Sequence, residues 1–300
     1  MTLPNFLIIG AAKSGTTAIY TFLKQHPDIY MSPRKELRYF SNRPTPQGDI
    51  PEGYVHKGVT TLSAYESYFD GVMDERIYGE SSPMYLYTPG TAERINETIP
   101  NVKLLAILRN PVDRAYSAYT HALREWKEPA ESFQKALELE PERIKAGWGM
   151  LWHYTRAGLY YQQLARYFEV FDSKQILVVL YDDLRSDPAA LLRLIFNFLG
   201  VDPDFKPDTS LRPNVSGFPK SEWLHKLMKR LFIEDNVIKR VSQVLVPQKI
   251  RRMVMVKLRG ANLEKRELSA DLRSQLQSIF RSDIEKLQGL LDRDLSHWLA

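Results

Sequence analysis

The sequence predicts an α/β fold with a central parallel sheet, helices on both of its faces, and a helical extension at the C-terminal end. Two observations carry this. Short apolar runs of strand length alternate with segments of helical period. Two of those runs, 103–108 and 175–180, are nearly unbroken in apolar residues, the pattern of strands covered on both faces.

The elements follow in chain order. Residues 6–9, Phe-Leu-Ile-Ile, make the first strand, and 15–25 the helix that succeeds it. Residues 41–61 hold prolines and glycines with few apolar positions and read as a long surface loop. A strand is expected at 76–79, another at 103–108, and a helix from Pro111 to about residue 126, proline being well tolerated at a first helical position. Helices at 130–139 and 158–171, a strand at 175–180 and a helix at 188–199 complete the alternation. After about residue 203 strand signals stop, and helical patterns run from 221 onward. The whole of 1–300 reads as one domain, with an α/β core over 1–203 and a mainly helical extension over 204–300.

Composition narrows the function. With 300 residues, 44% hydrophobic and 26% charged, the chain can bury a sizeable core. It has no cysteine, which excludes disulfide frameworks, thiolate metal sites and cysteine nucleophiles, and its six histidines show no metal-type spacing. A net charge of +5 favours an anionic ligand without requiring nucleic acid. No apolar run is long enough to span a bilayer, and the first strand begins too early for a signal peptide, so a cytoplasmic protein, or a domain cut from a longer chain, is expected.

The stretch Gly10-Ala-Ala-Lys13-Ser14-Gly15-Thr16-Thr17 joins the first strand to a helix, where backbone N–H groups and a helix dipole converge on an anion. The fold is therefore P-loop-like. In the nucleoside-triphosphatase pattern the lysine follows the last glycine and the next hydroxyl holds magnesium; here Lys13 precedes Gly15. After the strand at 103–108, where such an enzyme often carries a magnesium-holding aspartate, the chain has Arg109. Asp182 and Asp183, after the strand at 175–180, are the alternative acidic groups that a kinase would need. A second motif, Arg109-Asn-Pro-x-x-Arg114-x-x-Ser117, places an arginine before a helix and a serine about two turns into it. Arg114, on the same helix as Ser117, either reaches a nucleotide or, as its charge favours, is a helix-surface residue.

Together the two motifs resemble the sulfotransferases that use 3′-phosphoadenosine 5′-phosphosulfate (PAPS), most of all the heparan sulfate sulfotransferase-like group and its bacterial relatives. Further matching stretches are Lys35-Glu36-Leu-Arg38-Tyr39-Phe40, Gly79-Glu80-Ser-Ser-Pro83, Leu184-x-x-Asp187-Pro188 and Phe198-Leu-Gly200. The likeness covers about 4–200 well and continues thinly beyond. It implies that Lys13, Ser14, Gly15, Thr16 and Thr17 hold the 5′-phosphosulfate and that Arg109 and Ser117 hold the 3′-phosphate. It also implies that Glu80 is the general base and that Lys13 stabilises the leaving phosphate, with adenosine 3′,5′-bisphosphate (PAP) as the product. Lys35 is a second candidate cation in the catalytic cleft. No metal is needed, because a transferring sulfuryl group carries less negative charge than a phosphoryl group.

Outside the family, Glu80 reads as a strand-end cap or surface charge. His121 and His153 are alternative bases. Trp148, Trp152, Tyr154, Tyr160 and Tyr161 are candidates for an acceptor cleft or for the core, and Tyr181 for bordering the adenosine. Arg38 stands where the family often has histidine. Residues 220–260 hold eleven Lys and Arg against three Asp and Glu. That segment either completes the 3′-phosphate pocket, docks an acidic carrier or membrane surface, or is a solvated face. The expected acceptor is a hydroxyl or amine on a sugar, lipid, carrier-bound acyl chain or small molecule. The competing readings are a nucleotide or small-molecule kinase and a catalytically silent nucleotide-binding module.

Overall fold

A computed structural model describes residues 2–42, 58–210, 218–219, 223, 263–264 and 267–300. Five parallel strands, β1 (Phe6–Gly10), β2 (Ile29–Met31), β3 (Ile77–Ser81), β4 (Lys103–Leu108) and β5 (Ile176–Leu180), form one sheet in the order β2-β3-β1-β4-β5. Alternate residues of each strand feed opposite faces. Leu7, Ile9, Leu104, Ala106 and Leu108 enter one core. Phe6, Ile8, Leu105, Ile107 and Val179 enter the other. The second core is covered by α1 (Thr16–Leu23) and α10 (Pro188–Leu199), the first by α4 (Thr91–Thr98), α5 (Pro111–Arg124) and α8 (Tyr160–Val170). This is the expected three-layer arrangement, and it explains the unbroken apolar runs.

The C-terminal helix is α11 (Ala270–Leu291), whose Leu276, Phe280, Ile284 and Leu287 are buried in the same core as α5 and α8. Asp283 fastens it there by accepting the backbone N–H groups of Tyr160, at 2.7 Å, and Tyr161, at the open N-terminus of α8. No helix among the described residues is long and apolar enough to cross a membrane.

Several expected boundaries move. The helix expected at 130–139 is two: α6 (Phe133–Glu138), started by the Ser132 side chain capping Lys135 N–H, and α7 (Glu140–Lys145), with Pro141 in its first turn. The helix after Pro111 stops at Arg124, because Trp126 takes a positive φ of 54°. Strand β2 and the short helices α2 (Leu62–Glu66) and α3 (Met84–Tyr87) were not legible, being three to five residues long. Helix α9 (Tyr181–Ser186) follows β5 directly. A two-residue pair, β6 (Phe218–Pro219) with β7 (Leu263–Glu264), lies in the region expected to be helical. Of the basic segment 220–260 only Trp223 is described, and it is exposed; the readings of that segment, like residues 43–57 of the expected loop, fall outside the described residues.

Strand order changes direction at β1, with β3 on one side and β4 on the other. In open parallel sheets the crevice at the carboxyl ends of strands flanking such a point is where ligands bind. The ends of β1, β3 and β4 carry Gly10, Ser81 and Leu108, so the Gly10–Thr17 loop, Glu80 and Arg109 converge there from three separate motifs.

Candidate functional site

Gly15 caps α1 at φ 101°. Only glycine adopts that conformation without strain, and a Cβ there would also meet Tyr181 Cδ2 at 3.0 Å. The cap makes no side-chain hydrogen bond and the first turn of α1 holds no acidic residue, which leaves that helix end suited to an anion. Ser14 and Thr16 are buried within the loop.

Lys35 reaches this loop from the segment after β2. Its ammonium donates to Thr17 Oγ1 at 2.6 Å and to Thr16 Oγ1 at 3.2 Å. The segment is hung from β3, with Glu36 N–H donating to Ser81 O and Arg38 N–H to Ser82 Oγ, both at 2.9 Å. Glu36 itself is paired with Arg38, which holds its carboxyl below the usual range against the opposing effect of burial. Arg38 is thereby turned to Glu36.

Burial lowers Lys13 to about 7, and the neighbouring cations Arg124, Arg109, Lys35 and Arg114 push in the same direction. Burial lowers Lys35 to about 8, opposed by Glu36 and Glu80. Among the described residues neither lysine makes an ion pair with a carboxylate. Arg109 donates from Nη1 to Lys13 O at 3.3 Å, and its guanidinium lies 4.9 Å from the Tyr181 ring centroid. Its carbonyl accepts the Tyr160 hydroxyl at 3.0 Å. Ser117 is buried on α5. The helical rise places it roughly 9 Å along the axis from Pro111.

Glu80 has no exposed surface. Its Oε1 accepts the Tyr85 hydroxyl at 2.5 Å and the Tyr65 hydroxyl at 3.4 Å; its Oε2 accepts the Ser82 hydroxyl at 2.7 Å. Burial raises the carboxyl to about 7, and the three hydroxyl donors hold it from rising further. Neither tyrosine was found by sequence reasoning. Tyr85 sits five residues after Glu80, two beyond the Gly79–Pro83 stretch, but nothing in the sequence ties Tyr65 to it.

Other expectations change. Arg114 is not on the surface: it is 1% exposed, donates from Nη2 to Tyr154 O, and lines a small void beside Ala11 and Ala12. Its position on α5 turns it toward the core, and the charge had suggested the opposite. His121 is pushed down to about 4 by burial, by Lys13 and by Arg124, whose Nη2 donates to its Nδ1 at 2.9 Å. His153 is also lowered to about 4 by burial, and it is held between the Tyr87 hydroxyl at 2.6 Å and Trp148 O at 2.8 Å. Tyr154 and Tyr160 are core residues, whereas Trp148, Trp152 and Tyr161 are partly buried. Asp182 accepts from Trp298 Nε1 at 3.0 Å, and Asp183 caps Leu180 N–H and pairs with Arg293 at 2.7 Å. These two carboxylates anchor the C-terminal segment. No cluster of three or more metal-ligating side chains occurs among the described residues.

A desolvated group of cations, a helix N-terminus and a buried carboxyl thus meet at one end of the sheet. Such an arrangement binds a multiply charged anion and can take up a proton beside it. Comparisons with known proteins agree in kind. A family model described as "Sulfotransferase domain" matches residues 3–288. The crystal structure of a sulfotransferase from Alicyclobacillus acidocaldarius is 35% identical with a TM-score of 0.76, covering all of both chains. Heparan sulfate glucosamine 3-O-sulfotransferase 6 of Homo sapiens is 31% identical over 66% of this chain and 52% of its own length. The membrane-associated sulfotransferase kil1 of Dictyostelium discoideum is 24% identical over 79% of this chain and 64% of its own. Human bifunctional heparan sulfate N-deacetylase/N-sulfotransferase 3 is 29% identical over 70% of this chain, which spans 24% of that relative's length.

Proposed function

The chain belongs to the sulfotransferase domain family, and from that premise we propose that it moves a sulfuryl group from PAPS to an acceptor hydroxyl or amine. It is a sulfotransferase by family; the donor, the residue roles and the acceptor class are our reading. The observation that carries it is the set of cations, partly buried Lys13, Lys35 and Arg109 and fully buried Arg114, gathered around the loop after β1, where among the described residues neither lysine has a carboxylate partner.

The donor supplies a sulfur already bonded through oxygen to a good leaving group, its 5′-phosphate. Lys13 and the N–H groups of the loop hold that phosphate, and Lys13 neutralises charge at the bridging oxygen as the sulfur–oxygen bond breaks. Preorganised donors at such a position contribute about 10²–10³-fold in rate each. Lys35, with Thr16 and Thr17, holds the sulfuryl oxygens. Glu80 takes the proton of the attacking hydroxyl or amine. Arg109 and Ser117 hold the 3′-phosphate. The loop is in this sense a phosphate-binding loop, and the whole chain works as one domain.

The relatives named for heparan sulfate make a glucosamine-containing sugar the first acceptor to try. The test is transfer of labelled sulfate from PAPS across sugar, lipid and phenol acceptors, with Lys13→Ala and Glu80→Gln as controls. Transfer to one class, independent of added magnesium and lost in both variants, is expected. Magnesium-dependent phosphate transfer from ATP would instead support a kinase. Tight nucleotide binding with no acceptor-dependent release of PAP would support a silent binding module.

A further inference from the structure

Glu80 is enclosed, and its enclosure has a definite pattern. A carboxylate offers about four lone-pair positions. The Tyr85 and Tyr65 hydroxyls approach Oε1 at 2.5 and 3.4 Å, and the Ser82 hydroxyl takes one position of Oε2 at 2.7 Å. One position is left, and it lies on Oε2.

The donors are themselves fixed. Tyr65 stacks on Tyr39 with ring centroids 4.6 Å apart and meets Phe40 and Phe69 edge-on. Tyr85 meets Phe40 edge-on at 5.7 Å. Ser82 Oγ accepts Arg38 N–H at 2.9 Å, so its own proton is committed to Glu80. All three side chains are fully buried. We propose that Tyr85, Tyr65 and Ser82 are positioning residues: they fix the Glu80 carboxylate in one orientation and reserve a single lone pair, on Oε2, for the proton of the acceptor. This rests on reading Glu80 as the base.

The physical need is clear. Burial alone favours the neutral acid, and a carboxyl already protonated at neutral pH cannot take up the acceptor's proton. Hydrogen bonds from hydroxyls favour the ionised form, and the tyrosines remain donors because burial and the Glu80 charge hold their own titration well above the usual phenol value. In the reaction the acceptor's O–H bond breaks and its proton bonds to Oε2. The freed electron pair makes the new oxygen–sulfur bond, while the pair of the old bond leaves with the 5′-phosphate. Glu80, now neutral, returns its proton to water after the products depart.

The test is the titration of Glu80 by carboxyl ¹³C NMR, its signal identified by loss in Glu80→Gln, in the parent and in Tyr85→Phe and Tyr65→Phe. Losing a hydrogen bond to a charged group should raise the Glu80 midpoint by about one pH unit in Tyr85→Phe, and by less in Tyr65→Phe, whose contact is longer. PAP affinity should stay within about twofold. Hydrolysis of PAPS, with water as acceptor, should fall about tenfold at pH 6.5 in Tyr85→Phe, with the ratio to the parent recovering above pH 8. An unmoved midpoint, or a loss of turnover equal at every pH, overturns the proposal. Should Tyr85→Phe fail to fold, Tyr65→Phe decides by the same readouts. A Glu80→Gln variant as active as the parent would remove the base reading instead, so the two failures are told apart.

Discussion

Two buried polar clusters lie close together in this protein, and only one of them is balanced. In the first, Arg143 holds Glu128 through two hydrogen bonds of 2.7 and 3.1 Å, Tyr154 donates to the same carboxylate, and Ala130 N–H donates at 2.7 Å. Beside it Glu140 is saturated by Thr155 and by Arg156 N–H. In the second, Lys13, Lys35 and Arg109 gather at the loop, and the carboxylates acting on Lys35 are Glu80, which is raised to about 7, and Glu36, which is already paired with Arg38. The first cluster gives each of its carboxylates hydrogen-bond partners within the chain and ties α7 to residues 128–130 and 154–156. Among the described residues the second leaves the two lysines without a carboxylate partner in a desolvated place, which is costly unless a further anionic group answers them. That difference separates scaffold from site more sharply than burial or residue type does.

The largest expected effect is on the balanced cluster. Arg143→Ala strands a buried carboxylate and should lower stability by about 3–5 kcal/mol, read from urea midpoints, with turnover per folded molecule little changed. A loss below about 1 kcal/mol would break the contrast. Next is Lys13→Ala, which should cut sulfate transfer about 10²–10³-fold while leaving the fold intact. The sign of the stability change then sharpens the comparison. Lys13 titrates at about 7 when folded and near 10.5 when unfolded, so its charging penalises the folded state fully below pH 7, and the penalty fades as pH rises toward 10.5. Lys13→Met should therefore raise stability by about 1 kcal/mol or more at pH 6, and the gain should shrink by pH 9. A loss at pH 6 would mean that the cation is already compensated. The smallest effect is protonic. A lysine half-charged near pH 7 gains charge when an anion arrives, so PAP binding at pH 7 should take up about half a proton, measured by calorimetry in two buffers of different ionisation enthalpy.

How much of this was legible follows from distance along the chain. The strands at 103–108 and 175–180 were plain because covering on both faces makes them apolar throughout, and the Gly15 and Arg109 motifs stood out because their chemistry lies within a few residues. Strand β2 was lost because three residues carry no periodicity, and the helix at 130–139 was misjudged because a break at Leu139 needs no glycine. Arg114 was misplaced because charge predicts exposure only on average. Arg143 and Tyr154 reach Glu128, and Tyr65 reaches Glu80, from 15 or more positions away. No local pattern encodes such contacts. His121 and His153 looked like bases by residue type, yet burial, with neighbouring cations, lowers both to about 4.

The central claim is that the unanswered charge is shaped for an adenosine nucleotide with phosphates at both its 3′ and 5′ ends. Titration calorimetry of the purified protein with PAP, adenosine 5′-monophosphate and magnesium ATP measures this directly. PAP should bind about a hundredfold or more tighter than the monophosphate without magnesium, and Arg109→Ala should erase most of that preference. Preference for magnesium ATP, or an Arg109→Ala variant that distinguishes PAP from the monophosphate as well as the parent does, would contradict it.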